Sequence, residues 1–299
     1  MNSPVGVIGV GAMGFGVVQS LLRAGFAVRV RDIRVEAEAA AVAAGAIACP
    51  TPSQLAQQCS VVILLVVDDV QIDTVLFGQD GAAAALPWGA IVIVSSTVAP
   101  QFVSALKPRL ASSGLRLIDA PVSGGPRRAT DGTMTMMISG EARAVDECES
   151  LFAAISAKRF VLGEEPGDAA AYKILNNQLA AVNLAAGAEA MSMALRAGLD
   201  PRRLLEVLNA SSGGSWIVGD RMPRALTVDH TIHAATRILN KDIGLAVDAA
   251  SAFGLQSPLA LAARETFVAA LKAGFGEADD ATLVAFCCER AGVKLPTQR

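Results

Sequence analysis

Apolar residues follow two different rhythms along this chain, and the change falls a little past its midpoint. Short apolar-rich runs come first: Val5–Ile8, Phe26–Arg31, Val61–Val67, Ile91–Val94 and Leu115–Asp119. Runs of that length bounded by turn residues predict strands, buried on both faces where they lie centrally in a parallel sheet. Between them lie Phe15–Ala24, the alanine-rich Val35–Ala44, Ser53–Gln58 and Asp69 to Phe77, which predict helices. Ala46–Ala48 reads as a short strand, and Asp80 to Trp88 as loop and short helix. Thr133–Ser139 and Arg159–Leu162 read as further strands flanking one helix over Glu141–Ile155.

No strand pattern follows Leu162. From Gly167 to Leu199 the chain is rich in Ala, Leu, Met and Glu and free of proline, so it predicts one long helix. About 30 helical residues span roughly 45 Å, enough to serve two domains. Asp168 is placed to cap its start and Gly198 to close it in the left-handed conformation. Asp200-Pro201 starts the next helix, through Asn209, and Ser211–Trp216 breaks it. Ile238–Phe253, Leu259–Ala273 and Thr282–Ala291 complete a helical second half.

The first turn carries chemistry. Gly9-Val10-Gly11-Ala12-Met13-Gly14 follows the first strand and opens the first helix, and Asp32 ends the second strand. In that context a GxGxxG turn binds a dinucleotide. Gly9 permits the turn, Gly11 the approach of a pyrophosphate, and Gly14 close packing of helix on strand. Asp32 stands where an acid accepts hydrogen bonds from the adenosine ribose, which predicts NAD over NADP; Arg31 and Arg34 leave a 2′-phosphate conceivable. The fold class expected is an α/β N-terminal Rossmann domain over residues 1–163, a mostly parallel doubly wound sheet. An all-α C-terminal domain over 164–299, built on the long interdomain helix, follows it. Ligands of open α/β sheets lie at the carboxyl ends of strands, so Val66, Val67 and Thr97 are expected to face the cofactor. Thr97 is also placed to cap the helix that begins near Pro100.

Composition narrows the function. The chain has 299 residues, 53% of them hydrophobic, so a large core needs no disulfides. A net charge of −3 without a basic run argues against a nucleic-acid surface. Cys49, Cys59, Cys148, Cys287 and Cys288 form no CxxC pair, which fits reduced thiols in the cytoplasm. His230 and His233 lack the further ligands of a zinc site, so no metal is expected. Val61–Val67 is too short to cross a bilayer, and with the first strand beginning at Val5 no leader is expected.

Two further clusters suggest a substrate site. Ser123-Gly124-Gly125, at the exit of the strand ending at Asp119, exposes amides and a hydroxyl that suit a carboxylate; an ordinary turn is the alternative. Lys173 and Asn177 lie one turn apart on the same face of the long helix. Trp216 either lines the pocket or, as large aromatics usually do, fills core, and Arg221 either binds distal substrate oxygens or makes an ion pair.

Taken together, these motifs resemble the β-hydroxyacid dehydrogenase family. The resemblance rests on Gly9–Gly14, on Asp119-Ala-Pro-Val-Ser-Gly-Gly125, on Gly167 through Lys173 to Asn177, and on Lys241-Asp242-Ile243-Gly244. It implies that Lys173 is the catalytic acid/base and that Ser123, Gly124 and Gly125 hold the substrate carboxylate. It implies further that Asn177 places substrate and lysine, and that Lys241, ordered by Asp242, serves the nicotinamide side. Ala169 departs from the family's usual second glycine. Gly214-Ser-Trp216, Arg221 and Ala273–Gly276 with Asp279-Asp280 resemble the L-threonate branch, whereas Asn176-Asn177 resembles the hydroxyisobutyrate and semialdehyde branches. The expected protein is thus an NAD-dependent oxidoreductase of a small hydroxy acid, assembled as a homodimer or homotetramer. A semialdehyde reductase running toward the alcohol and a non-catalytic dinucleotide-binding protein are the alternatives.

Overall fold

Strands and helices alternate through the first of the chain's two units, Met1–Lys173, as the apolar runs require. The computed structural model describes residues 3–227 and 231–296. In chain order the first unit contains β1 (Val5–Ile8), α1 (Ala12–Arg23), β2 (Val28–Arg31), α2 (Val35–Ala43), β3 (Ile47–Ala48) and α3 (Pro52–Ala56). Next come β4 (Val61–Leu64), α4 (Asp69–Phe77), β5 (Ile91–Val94), α5 (Pro100–Ala111) and β6 (Arg116–Asp119). β7 (Val122–Ser123), α6 (Gly125–Asp131), β8 (Met134–Gly140), α7 (Ala142–Glu147), α8 (Glu149–Ile155) and β9 (Ser156–Gly163) finish it.

The sheet order is β3-β2-β1-β4-β5-β6-β8-β7, with β9 paired to β8. β3 through β6 are parallel; β8 runs antiparallel to β6 and β7 and parallel to β9. Side chains alternate faces along each strand. Val5, Val7, Val30, Ile63 and Ile93 therefore enter one core, and Ile8, Val62, Leu64, Val92 and Val94 the other. The strand order reverses between β1 and β4, the switch point where open α/β sheets bind ligands.

Several elements depart from expectation. The helix expected over 141–155 breaks at Cys148 (φ −97°, ψ 3°), which ends α7 and starts α8. β4 stops at Leu64, short of Val67, because Asp68 already caps α4 by accepting the Gln71 amide. Thr97 does not cap α5. Pro100 takes the first helical position, so the cap falls on Ala99. The expected turn at Ser123 contains the short strand β7, and α6 follows it directly.

The long helix is α9 (Asp168–Arg196); it starts in the first unit and its remainder belongs to the second, Ile174–Arg299. Gly198 ends it at φ 74°. The second unit adds α10 (Pro201–Ala210), α11 (Trp216–Ala225), α12 (Thr236–Ala252), α13 (Pro258–Ala270) and α14 (Leu283–Arg290). Among its described residues there is no strand, only an isolated bridge between Ala235 and Asp279. Leu184, Ala188 and Met191 of α9 pack with Met222, Ile243, Phe267 and Leu283 in one core. α13 gives way at Ala270 to a π-helical turn around Gly274 (φ 93°). Trp216 is not core. It opens α11, is 55% exposed, and lies 5.6 Å from the Arg221 guanidinium. All five cysteines are free and buried, and no described helix is long and apolar enough to cross a membrane.

Candidate functional site

The β1–α1 turn is shaped by contacts that exclude side chains. Gly9 has φ +90°, and a Cβ there would stand 2.5 Å from the Leu65 carbonyl oxygen. A Cβ on Gly14 would stand 2.0 Å from the Gly9 carbonyl oxygen, so α1 can lie this close to β1 only with glycine there. Ala12 and Met13 open α1 behind Gly11, whose cap position supplies no side-chain hydrogen bond. The first amides of a helix have no intrahelical partners, which leaves this end suited to a phosphate. The bare backbone of the turn and its uncapped helix start fit a dinucleotide pyrophosphate.

Asp32 is buried at the end of β2 beside that turn. Val10 donates its amide to Oδ2 at 2.8 Å, and Arg34 donates its amide and Nε to Oδ1 at 2.9 and 3.3 Å. Burial alone raises the Asp32 pKa, but the Arg34 and Val10 hydrogen bonds and the Arg34 charge outweigh it. They hold the carboxyl below its ordinary value. The acid is thus fixed and ionised. Arg34 reaches back over the turn, since a Cβ on Gly11 would meet its Nη2 at 2.8 Å. Arg31 is paired instead with Glu38 at 3.3 Å. Val66 and Val67 follow β4, with the Val67 amide donated to Gln71, and Thr97 follows β5.

The same unit holds the other anion-binding candidate. Ser123 ends β7, and Gly124 and Gly125 turn the chain at φ +133° and +74° into α6. A Cβ on Gly124 would fall 2.6 Å from Cδ of Arg128, so the arginine stem packs on bare backbone there. Lys173 is 7% exposed on α9. The start of α9 is held from outside the helix. Gly167 and Ala170 donate their amides to Asp119 Oδ2 at 2.9 and 2.8 Å. Ser139 donates its hydroxyl to the same oxygen at 3.4 Å and accepts the Ala169 amide at 3.1 Å. Burial pushes the Asp119 carboxyl up to about 6 in spite of those donors. Sequence reasoning does not single out Asp119 or Ser139 as functional. The signals in the chain are that Asp119 opens the Asp119–Gly125 motif and is a carboxylate ending a buried apolar strand.

In the second unit one carboxylate joins two candidates. Asn177 donates Nδ2 to Asp242 Oδ2 at 2.6 Å, and Lys241 donates Nζ to Oδ1 at 2.7 Å. Asn176 in turn donates to Asn177 Oδ1 at 3.0 Å. Asp242 is buried, so its loss leaves a buried amide and a half-buried ammonium without their carboxylate. Asp242→Ala should cost about 2–4 kcal/mol in urea unfolding. A double-mutant cycle with Asn177→Ala should be non-additive by about 1 kcal/mol or more. Strictly additive losses would show that the two side chains do not act together.

Arg221 is committed to ion pairs. Its Nε lies 3.0 Å from Asp280, and Arg224 bridges Asp279 and Asp280. The structure thus gives Arg221 a structural pair, one of the two roles the sequence leaves open. Among the described residues no three His, Cys, Asp or Glu side chains gather as a metal site; His230 lies outside them.

Comparison with known proteins supplies the context. The family profile described as the NAD binding domain of 6-phosphogluconate dehydrogenase matches residues 4–163. That described as NAD-binding of NADP-dependent 3-hydroxyisobutyrate dehydrogenase matches 167–287. An L-threonate dehydrogenase of Cupriavidus necator is 46% identical over 99% of both chains. One from Escherichia coli is 37% identical over 98% of this chain and 96% of its own. The solved 3-hydroxyisobutyrate dehydrogenase of Salmonella typhimurium superposes with a TM-score of 0.88 at 35% identity, covering 95% of this chain and all of that one.

Proposed function

As a member of the β-hydroxyacid dehydrogenase family, this chain is an NAD-linked oxidoreductase of hydroxy acids, and we propose that it oxidises an L-threonate-type sugar acid with Lys173 as the proton-transfer group. The observation that carries the proposal is the burial of Lys173 in the same compact unit as the dinucleotide turn and the Ser123–Gly125 turn. The 46% identity to an L-threonate dehydrogenase supports that substrate branch.

Bound NAD supplies the hydride acceptor. The chain supplies the rest. The Gly9–Gly14 turn and the start of α1 receive the pyrophosphate, and Asp32 accepts hydrogen bonds from the adenosine ribose. Val66, Val67 and Thr97 border the cofactor at the strand ends. Ser123 and the amides of Gly124 and Gly125 take the substrate carboxylate. Asn177 and Lys241, joined through Asp242, orient substrate and cofactor. Lys173, uncharged, accepts the hydroxyl proton as hydride leaves carbon; in reverse it returns that proton. Residues 1–163 serve as the dinucleotide domain and 164–299 as the substrate and assembly domain. The exposed apolar side chains Leu175, Leu179 and Met193 on α9 support a homodimer or homotetramer, and the free buried cysteines support a cytoplasmic setting.

The test is NADH formation at alkaline pH with L-threonate, D-threonate, glycerate, 3-hydroxyisobutyrate and 3-hydroxypropionate, each with NAD and NADP. L-Threonate with NAD should lead the panel, and a lead by another acid would move the protein to a different branch. Asp32→Ala should raise the KM for NAD by about tenfold or more, the worth of one charge-assisted hydrogen bond. It should also narrow the NAD preference, because it frees Arg34 for a 2′-phosphate. An unchanged preference would take Asp32 out of cofactor choice.

A further inference from the structure

Asp119 ends β6 with its side chain wholly buried, and the reaction as derived gives it no task. Its Oδ2 gathers the amides of Gly167 and Ala170 and the Ser139 hydroxyl, while Oδ1 is buried with no hydrogen-bond partner among the described residues. A helix start is ordinarily capped by a side chain at its own first residues. α9 has Asp168 in its first turn. Yet the amides go to a carboxylate 48 and 51 residues earlier in the chain, at the end of a central strand. Ser139, on the neighbouring β8, takes the Ala169 amide between them. The first turn of α9 is therefore tied to two strands at once.

What lies on either side of this tie gives it meaning. Four residues beyond Asp119 the chain reaches Ser123 and the two glycines of the anion turn. Three residues beyond Ala170 on the helix stands Lys173. Both candidate groups are thus measured from one carboxylate, inside one compact unit. A buried carboxylate is a costly way to cap a helix when a local hydroxyl or acid would serve. Its benefit is a fixed distance between strand end and helix.

We propose that Asp119 is a positioning residue: it anchors the first turn of α9 to the end of β6 and so sets where Lys173 stands relative to the Ser123–Gly125 turn. The proposal rests on the reading of Lys173 as the proton-transfer group. Misplacement of a reacting group by about 1 Å can lower a rate about 100-fold, so the anchor has a large lever on turnover.

The test compares Asp119→Ala, Asp119→Asn and Ser139→Ala in the full chain. It reads kcat, the NAD dissociation constant, and the acetylation rate of the Lys173 amine by mass spectrometry. Asp119→Ala should lower kcat about 100-fold and change Lys173 acetylation while leaving NAD affinity within a few-fold. Asp119→Asn keeps an oxygen for the Gly167 and Ala170 amides and should recover kcat to within about tenfold and restore the acetylation rate, one hydrogen bond's worth of difference at most. Ser139→Ala removes one tie and should shift both readouts in the same direction by a few-fold; it carries the test if Asp119→Ala does not fold. Wild-type kcat and wild-type Lys173 reactivity in a folded Asp119→Ala, or in Ser139→Ala alone should the former not fold, overturn the proposal. A changed acetylation rate with unchanged kcat leaves the anchor standing and removes Lys173 from the chemistry.

Discussion

Lys173→Ala should lower kcat by about 1,000-fold, within the range of roughly 10²–10⁴ that a positioned acid or base contributes. NAD affinity should stay within a few-fold, because the dinucleotide turn, Asp32 and the start of α1 lie on other elements of the first unit. The size of the effect follows from burial. Lys173 is 7% exposed, so water has little access to take its place as proton acceptor. Lys173→Arg separates two roles that alanine removes together. A guanidinium keeps the positive charge but does not give up its proton in the working pH range. If Lys173 transfers the proton, arginine should be nearly as inactive as alanine. If it only attracts the substrate anion, arginine should restore much of the rate and the loss in alanine should sit in KM. Full activity in Lys173→Ala would remove the residue from the mechanism altogether.

How far the chain can be read depends on the range of the interactions involved. The alternation of β1, α1, β2 and the rest is legible because each strand is a local apolar run whose two faces enter two cores. The dinucleotide turn is legible for the same reason, since Gly9, Gly11, Gly14 and Asp32 lie within one βαβ unit. What escapes is decided by partners distant in sequence. Nothing near Asp119 says that its carboxylate will cap a helix starting almost fifty residues later. Nothing near Ser123 says that it will pair with Thr135 on β8 and become strand before turn. Trp216 is expected in the core only on the general habit of large aromatics. It is exposed because Ser215 starts α11 beside it and Ile217 and Val218 take the buried face. Arg221 is ambiguous in the sequence until its ion pair with Asp280, another distant contact, gives it a structural task. The candidate site is thus named from local motifs, whereas the contacts that position its residues are set by partners distant in sequence.

Gly14→Ala is expected to be strongly damaging, because its clash is with backbone rather than with a side chain. In an exposed helix the change would stabilise by about 1 kcal/mol, since alanine is the better helix former. Here the new Cβ would lie 2.0 Å from the Gly9 carbonyl oxygen and 2.9 Å from its carbon. A carbon and a carbonyl oxygen approach comfortably only to about 3.3 Å, so the two must separate by more than about 1 Å. Gly9 cannot give way, because it is itself pressed against the Leu65 backbone, where a Cβ on Gly9 would have only 2.5 Å to the carbonyl oxygen. α1 must move instead, and it carries Val17, Val18 and Leu21, all essentially fully buried. The steric penalty therefore outweighs the propensity gain: a net loss of about 2–3 kcal/mol in urea unfolding is expected, at the upper end for overpacking. NAD affinity should fall with it, because the helix start proposed to receive the pyrophosphate is displaced. Gly11→Ala is the internal control. Its Cβ meets only the Nη2 end of Arg34, the tip of a mostly exposed side chain that can turn this nitrogen aside while its backbone amide stays on Asp32. That variant should keep wild-type stability and lose NAD affinity alone, through crowding at the pyrophosphate. Equal stability in both variants would mean that close packing of α1 on β1 is not what requires glycine at position 14. Loss of stability in Gly14→Ala alone, with weakened NAD binding in both, would separate the glycine that seats the helix from the glycine that faces the ligand.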